Sequence, residues 1–307
     1  MTEAEADTPS AVRIAEYPDD LRSAVEDYLA SLSFSTQPAT SGLEEAMLYS
    51  LLAGGKRIRP VLALATARAL GADPVDFLPI ASGIELIHTY SLIHDDLPAM
   101  DDDELRRGRP TCHIAFGENV AILAGDGLFA EAYRLILEQQ QGGAERVLEA
   151  LRELSQAISV AGMVGGQYVD VAVGSDLDQD GLRLMHELKT GRLIRASVTV
   201  VPLLLGSSRV VTDALRGFAD ELGVLFQIVD DILDVTGTQE ETGKPQGSDA
   251  RLGKRTYVSL FGIERARELA GESHAKACAA LEGLREPLTG DLMALEQITD
   301  YIYVREA

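Results

Sequence analysis

Asp95-Asp96 and Asp101-Asp102-Asp103 fall within one run, HDDLPAMDDDELRRGRP, and Asp230-Asp231 with Asp234 fall in FQIVDDILDVTG much further along the chain. Each cluster follows an apolar helical run. Carboxylates crowded this closely repel one another and are costly at a helix C-terminal end, so a positive partner is required, and hard divalent cations are the usual one. Two such clusters in one chain point to a multi-metal site that binds phosphate. Asp230 and Asp234 are four apart and share a helix face, with Asp231 at its edge. Asp95 and Asp102 are seven apart, but Pro98 between them removes a backbone donor and is expected to bulge or kink the helix, rotating Asp101 onto the face of Asp95. Mg²⁺ suits such a site because it takes one or two carboxylates, several waters and phosphate oxygens. His94 beside Asp95 lacks a ligand-spaced partner, which leaves zinc a weak reading.

The second ingredient is cationic. Gly54-Gly55-Lys56-Arg57-Ile58-Arg59-Pro60 and Arg106-Arg107-Gly108-Arg109 each lie beside glycine or proline, and the second abuts an acidic cluster. Lys56 and Arg59 are three apart and share a helix face, and guanidinium groups grip phosphate in a fork. Either segment alone reads as a solvated basic face; together they can seat a diphosphate. That local wall is needed, because 49 acidic against 27 basic residues give a formal charge of −22. The surplus argues against general nucleic-acid binding and against adhesion to anionic lipid.

These residues need helices to position them. Apolar residues recur at three- and four-residue spacing, as in Leu21, Val25, Leu29 and Leu182, Met185, Leu188, while strict alternation is scarce, so the fold is expected to be all-α. Breaks at Thr40-Ser41-Gly42, Gly71 to Pro74, Gly108 to Pro110, Gly142-Gly143, Gly174-Ser175 and Gly206 to Ser208 leave ten or more helices. No composition shift marks a linker, so residues 17–307 are expected to form one domain behind a loose acidic tail over 1–16. Cys112 and Cys278 form neither a CxxC pair nor a disulfide framework, and the N-terminus MTEAEADTPSAV has no apolar core; both fit a cytoplasmic protein with plain thiols. The longest apolar stretch, Val198 to Leu205, is too short to span a bilayer. The polar segment Gly237 to Gly253 follows the second cluster directly and is placed to close over a ligand, which singles out Lys244, Asp249 and Lys254.

GGKRIRP, LIHDDLPAMDDDELRRGRPTCH, LKTG and FQIVDDILDVTG followed by GKPQGSDARLGKRTY resemble the trans-prenyltransferases, the short-chain isoprenyl diphosphate synthases. The resemblance runs from about residue 40 to 265 and includes both aspartate motifs in order. It implies a single-domain, all-α helical bundle around a central active-site cavity, acting as a homodimer without stable membrane insertion. It implies that Asp95, Asp96 and Asp101 with Asp230, and Asp231 and Asp234 through water, hold three Mg²⁺ ions, for which Mn²⁺ can substitute, on an allylic diphosphate. Arg106, Lys189, Lys244 and Lys254 complete that pocket. A second substrate, isopentenyl diphosphate, is assigned to Lys56, Arg59, His88 and Arg107, with Arg57 nearby.

The implied chemistry is ionisation of the allylic carbon–oxygen bond, attack by the isopentenyl double bond, and loss of a proton to the departing diphosphate, giving an allylic diphosphate five carbons longer. Lys189, Thr190 and Gln227 match positions that help the cation form and survive. Growth of the product is expected along the helix carrying Asp95, past residues 91, 90 and 87, and one helical turn, at about 1.5 Å per residue, roughly matches one five-carbon unit. Tyr90 is the large aromatic there, with the small Ser91 beside it. With the two-residue insertion Pro98-Ala99 in the first motif, the resemblance associates that aromatic with the fifteen-carbon farnesyl product; a geranylgeranyl product is the alternative. A class I terpene cyclase needs no GGKRIRP segment, a non-catalytic regulatory subunit has no need to keep the aspartates, and a metal phosphohydrolase needs no long apolar pocket.

Overall fold

The computed structural model describes residues 16–237, 253–286 and 288–305. The periodicity read from the sequence becomes helix almost throughout. Helices α1 (Asp19–Ala30), α2 (Ser41–Leu51), α3 (Ile58–Ala69) and α4 (Leu78–Asp95) lead to a short hairpin, β1 (Leu105–Arg106) and β2 (Arg109–Pro110). The single turn α5 (Cys112–Phe116), α6 (Glu118–Gln139), α7 (Ala144–Ile158), α8 (Met163–Val173) and α9 (Gln179–His186) follow. A π-helical turn over Glu187–Gly191 runs into α10 (Arg192–Leu205), then α11 (Arg209–Thr236), the single turn α12 (Tyr257–Phe261), α13 (Ile263–Glu282) and α14 (Met293–Val304).

Burial sorts the helices into a centre and a shell. On α1 only Leu21, Val25 and Leu29 are buried, the stripe of a surface helix. By contrast α3, α4 and α10 are apolar on nearly every side and lose almost all contact with water, as at Val61 to Ala65, Ile84 to Ile87 and Val198 to Val201. A helix apolar all round belongs inside a bundle. There α4 runs along α6, and α10 packs against α7, α3 and α11. Helix α11 packs on α13, and α14 lies across α13, α3 and α11. The apolar stretch from Val198 is therefore the buried half of α10, with Pro202 inside the helix. No helix among the described residues is long and apolar enough to cross a membrane.

The structure departs from the expectations at two places near the aspartates. Pro98 does not kink α4: the helix stops at Asp95, and the chain folds into a tight loop in which the Asp101 N–H donates to the Asp95 carbonyl at 2.9 Å. That loop, not a rotated helix face, brings Asp101 back to Asp95. Next comes the hairpin, with Leu105 opposite Pro110 and Arg106 opposite Arg109. Its turn, Arg107-Gly108, has both φ angles positive, 52° and 72°, the twist that two-residue hairpins favour. Two adjacent arginines thus point in different directions.

Candidate active site

Both acidic clusters sit at the C-terminal ends of helices, α4 and α11, where the backbone dipole adds negative potential. Asp95 is the last residue of α4, half-buried, and no described residue makes an ion pair with it. Burial pushes its carboxyl above the ordinary aspartate range; Lys189, Arg106 and Lys254 work against this and Asp101 works with it. A carboxylate so placed lacks a cation of its own. Asp101 receives Lys254 Nζ at 2.8 Å, and Asp230, on the exposed side of α11, has Arg305 Nη2 at 3.7 Å. Asp234 lies one turn beyond Asp230, half-buried. Oxygen-only donors from two helix ends form the donor set of a hard dication such as Mg²⁺.

Two expected ligands are already engaged. Asp96 accepts both Nε and Nη2 of Arg106 in a bidentate fork, with Nε at 2.8 Å from either oxygen. Asp231 is buried; it accepts Gln227 Nε2 at 2.8 Å and the Tyr257 backbone N–H, at the start of α12, at 2.7 Å. Asp96 thus fixes an arginine, and Asp231 fixes the chain where it returns after α11.

Asp170, a residue the sequence reading passed over, completes the acidic side. Lys189 Nζ lies 2.6 Å from its Oδ2, and Lys254 Nζ lies 3.4 Å from the same oxygen. Asp170 comes from α8, which crosses the π-helical turn so closely that a Cβ on Gly166 would strike the Lys189 backbone. One extra residue in a helical turn re-aims the side chains that follow, which is how π-turns commonly serve sites. Here it presents Lys189 and Thr190, both half-buried. Lys244 and Asp249 lie outside the described residues, as does the segment 238–252 expected to close over the site.

A separate basic pocket faces the start of α3. Arg59 Nη1 donates to His88 Nε2 at 3.3 Å and stacks its guanidinium 5.8 Å from the Phe226 ring centre, and its buried Nε has no hydrogen-bond partner. His88 is held well below its ordinary pKa by burial and then by Arg59, Arg107, Arg106 and Arg57, so the ring is neutral. Accepting at Nε2, it carries its proton on Nδ1. Arg107 donates to the Gly54 carbonyl and lies against Gly55, where any Cβ would come within 2.8 Å of the guanidinium carbon. The GG pair of the motif is the seat for that arginine. Lys56 is exposed, its Nζ 4.9 Å over the ring of Tyr301, while Tyr17 hydroxyl donates to the Lys56 carbonyl at 2.7 Å and meets Tyr301 edge-on. The two ends of the chain converge on this one lysine.

Arg57 follows Lys56 in the same motif, and its environment differs from that of its neighbours. Its side chain is fully buried, with Nε 2.8 Å from Glu26, Nη1 2.7 Å from Glu85 and Nη2 2.6 Å from the Leu51 carbonyl. Four of its five N–H donors are taken by acceptors within the protein. Its backbone has φ of 53°, in the left-handed region. Among the described residues the other non-glycine positions with positive φ are Asp102 and Arg107, both in the first motif. Strain of this kind gathers at functional sites.

Tyr90 lies on α4, five residues before Asp95. Its ring meets Phe129 of α6 edge-on at 5.1 Å and His94 at 5.6 Å, and Phe129 in turn meets Tyr133. Ser91 donates back to the His88 carbonyl at 2.8 Å and keeps its small side chain on the helix.

A profile of the polyprenyl synthetase family matches residues 40–281. A farnesyl diphosphate synthase of Geobacillus stearothermophilus is 50% identical over 232 residues, 74% of this chain and 77% of that protein. A chloroplastic geranylgeranyl pyrophosphate synthase of Capsicum annuum is 44% identical over 267 residues, 86% of this chain and 72% of that protein. Among solved structures, a geranyltransferase from Helicobacter pylori complexed with magnesium and isoprenyl diphosphate superposes with a TM-score of 0.81 at 32% identity, over 91% of this chain and 93% of that one. The matched range spans both aspartate clusters and the basic pocket, and the chain belongs to the polyprenyl synthetase family and is a prenyltransferase of its short-chain class.

Proposed function

We propose that this prenyltransferase condenses isopentenyl diphosphate with dimethylallyl and then geranyl diphosphate and releases farnesyl diphosphate. The observation that carries the product length is the edge-on packing of Tyr90 against Phe129 at 5.1 Å, because a ring braced from a neighbouring helix makes a firm floor. The named relatives include makers of both farnesyl and geranylgeranyl products, so the twenty-carbon product is the second reading. Mass analysis of products formed from labelled isopentenyl diphosphate, dimethylallyl diphosphate and Mg²⁺ tests it. A predominantly twenty-carbon product refutes the farnesyl assignment, and absence of any elongated product refutes the substrates.

In this reading Asp95, Asp101, Asp230 and Asp234 hold Mg²⁺, which supplies a Lewis acid for the leaving diphosphate. Arg106, oriented by Asp96, with Lys189 and Lys254, oriented by Asp170, neutralises the charge that grows on that group. Lys56, Arg59, His88 and Arg107 hold the isopentenyl diphosphate and aim its double bond at the allylic carbon. Gln227, anchored by one amide N–H to Asp231, supplies an amide dipole for a carbocation, and Thr190 offers its hydroxyl oxygen on the π-turn. The proton lost in the last step goes to the departing diphosphate. Residues 17–307 act as one domain in the cytoplasm, and Ile122, Leu123 and Phe129, exposed along α6, favour a homodimer that covers them.

A further inference from the structure

On the side of α13 that faces α14, His274 and Cys278 stand four residues apart, and α14 answers with Glu296 and Asp300, also four apart. Each helix therefore turns one pair toward the other. His274 Nε2 lies 2.8 Å from Asp300 Oδ1 and 3.6 Å from Cys278 Sγ, and one donor atom from each of the three residues falls within 4.8 Å of the others. The imidazole is not free to turn away: it stacks on Tyr303 with ring centres 4.5 Å apart and planes 20° from parallel. That stacking aims Nε2 at the cysteine and the carboxylate.

We infer that His274, Cys278 and Asp300 form a second metal site, distinct from the aspartate clusters, that takes a borderline-soft dication such as Zn²⁺ and ties α14 to α13. A nitrogen, a thiolate and a carboxylate are the donors of zinc rather than of magnesium. In a tetrahedral zinc complex neighbouring donor atoms lie about 3.5 Å apart. The His274 to Cys278 separation already has that value, and the His274 to Asp300 contact needs only to open slightly. Burial and then the negative charges of Asp300 and Glu296 push the Cys278 thiol up, so without a cation the cluster is a poor thiolate nucleophile. Binding replaces the S–H bond by a metal–sulfur bond and releases the proton to solvent. Glu296, whose Oε1 is held by Arg285, or a water supplies the fourth donor.

The site has a route to the active centre through α14 itself. Tyr301 follows Asp300 directly and lies under Lys56, and Arg305, one turn on, reaches Phe226 and Asp230. A metal on Asp300 fixes the rotation of the helix that carries both.

The test uses the full-length protein, stripped with chelator and titrated with Co²⁺ in excess Mg²⁺, which occupies the oxygen sites. One equivalent of Co²⁺ is expected to give a thiolate-to-metal absorption band with tetrahedral ligand-field bands, displaced by Zn²⁺. The band is expected to vanish in Cys278→Ser, to survive in Cys112→Ser, and to need about tenfold or more Co²⁺ in Asp300→Asn. A wild-type spectrum without a thiolate band, or a band that survives Cys278→Ser, overturns the assignment. Should Cys278→Ser not fold, alkylation of the wild type read by peptide mass decides: Zn²⁺ is expected to shield Cys278, and equal labelling with and without Zn²⁺ overturns it.

Discussion

Asp170 Oδ2 accepts Lys189 Nζ at 2.6 Å, and Lys254 Nζ closes on the same oxygen at 3.4 Å. One carboxylate thus holds two of the cations assigned to the allylic diphosphate. Burial pushes the Asp170 carboxyl up, but Lys189 and Lys254 together hold it below the ordinary aspartate range, so it stays ionised. Asp170→Asn keeps the shape and removes the charge. We expect kcat/KM for the allylic substrate to fall by about 10–100-fold, the usual loss when a residue that orients a ligand is replaced. The KM for isopentenyl diphosphate is expected to stay unchanged, because its pocket is built by other residues. Steady-state kinetics with each substrate varied in turn make the check, and an equal rise in both KM values contradicts this role.

Arg57 separates structure from binding in the basic motif. Its guanidinium and the carboxylate of Glu85 are both buried, and removing one partner strands the other charge at a cost of about 3–5 kcal/mol. Arg57→Ala and Glu85→Gln are therefore expected to lower the denaturation midpoint sharply, with Arg57→Lys giving little rescue because lysine cannot fork between Glu26, Glu85 and the Leu51 carbonyl. Denaturant titration reads the effect. If Arg57 gripped a substrate instead, its loss would leave the midpoint intact and raise the KM for isopentenyl diphosphate.

What was legible in the sequence follows range. The aspartate runs, GGKRIRP and LRRGRP could be read because their residues act within a few positions of one another, where spacing alone says which side chains meet. Asp170 could not, since QYVDVAV offers a lone acid in an apolar helix and its partners lie on the π-turn and beyond α11. Nor could Arg57 be told from Arg59: the difference is made by Glu26 and Glu85, on α1 and α4. Tyr17 and Tyr301 meet over Lys56 from opposite ends of the chain, a contact no local pattern announces. Pro98 carried a real signal, a helix interruption, but whether a proline kinks a helix or ends it depends on where the next hydrogen bonds go, and here Asp101 closes the loop instead.

His88 makes stability depend on pH in a defined direction. Arg59, Arg107, Arg106 and Arg57 surround it, and burial with these charges holds its folded pKa well below 6.5. As pH falls through 6.5 the unfolded chain takes up a proton there that the folded chain refuses, so folding stability falls with pH. The slope from this one group approaches about 1.4 kcal/mol per pH unit. Above 6.5 the group contributes no slope. The difference in unfolding free energy between wild type and His88→Gln, measured at several pH values, isolates it: the variant is expected to lose less stability on acidification. Parallel curves for the two proteins contradict a neutral buried His88.

In the proposed reading, product length turns on Tyr90. The residue projects from α4 one turn and a residue before Asp95, where the growing chain must pass if it extends away from the diphosphate along that helix. Phe129 meets it edge-on and Tyr133 meets Phe129 edge-on, so in the proposed reading the barrier is several rings and not one side chain. Tyr90→Ala is therefore expected to shift product toward twenty carbons but not to release unlimited growth, because Phe129 and Tyr133 remain. The double variant Tyr90→Ala with Phe129→Ala is expected to lengthen it further. Chain lengths are read by mass spectrometry with isopentenyl diphosphate in excess, and unchanged fifteen-carbon product from Tyr90→Ala at normal turnover would place the floor elsewhere in the bundle.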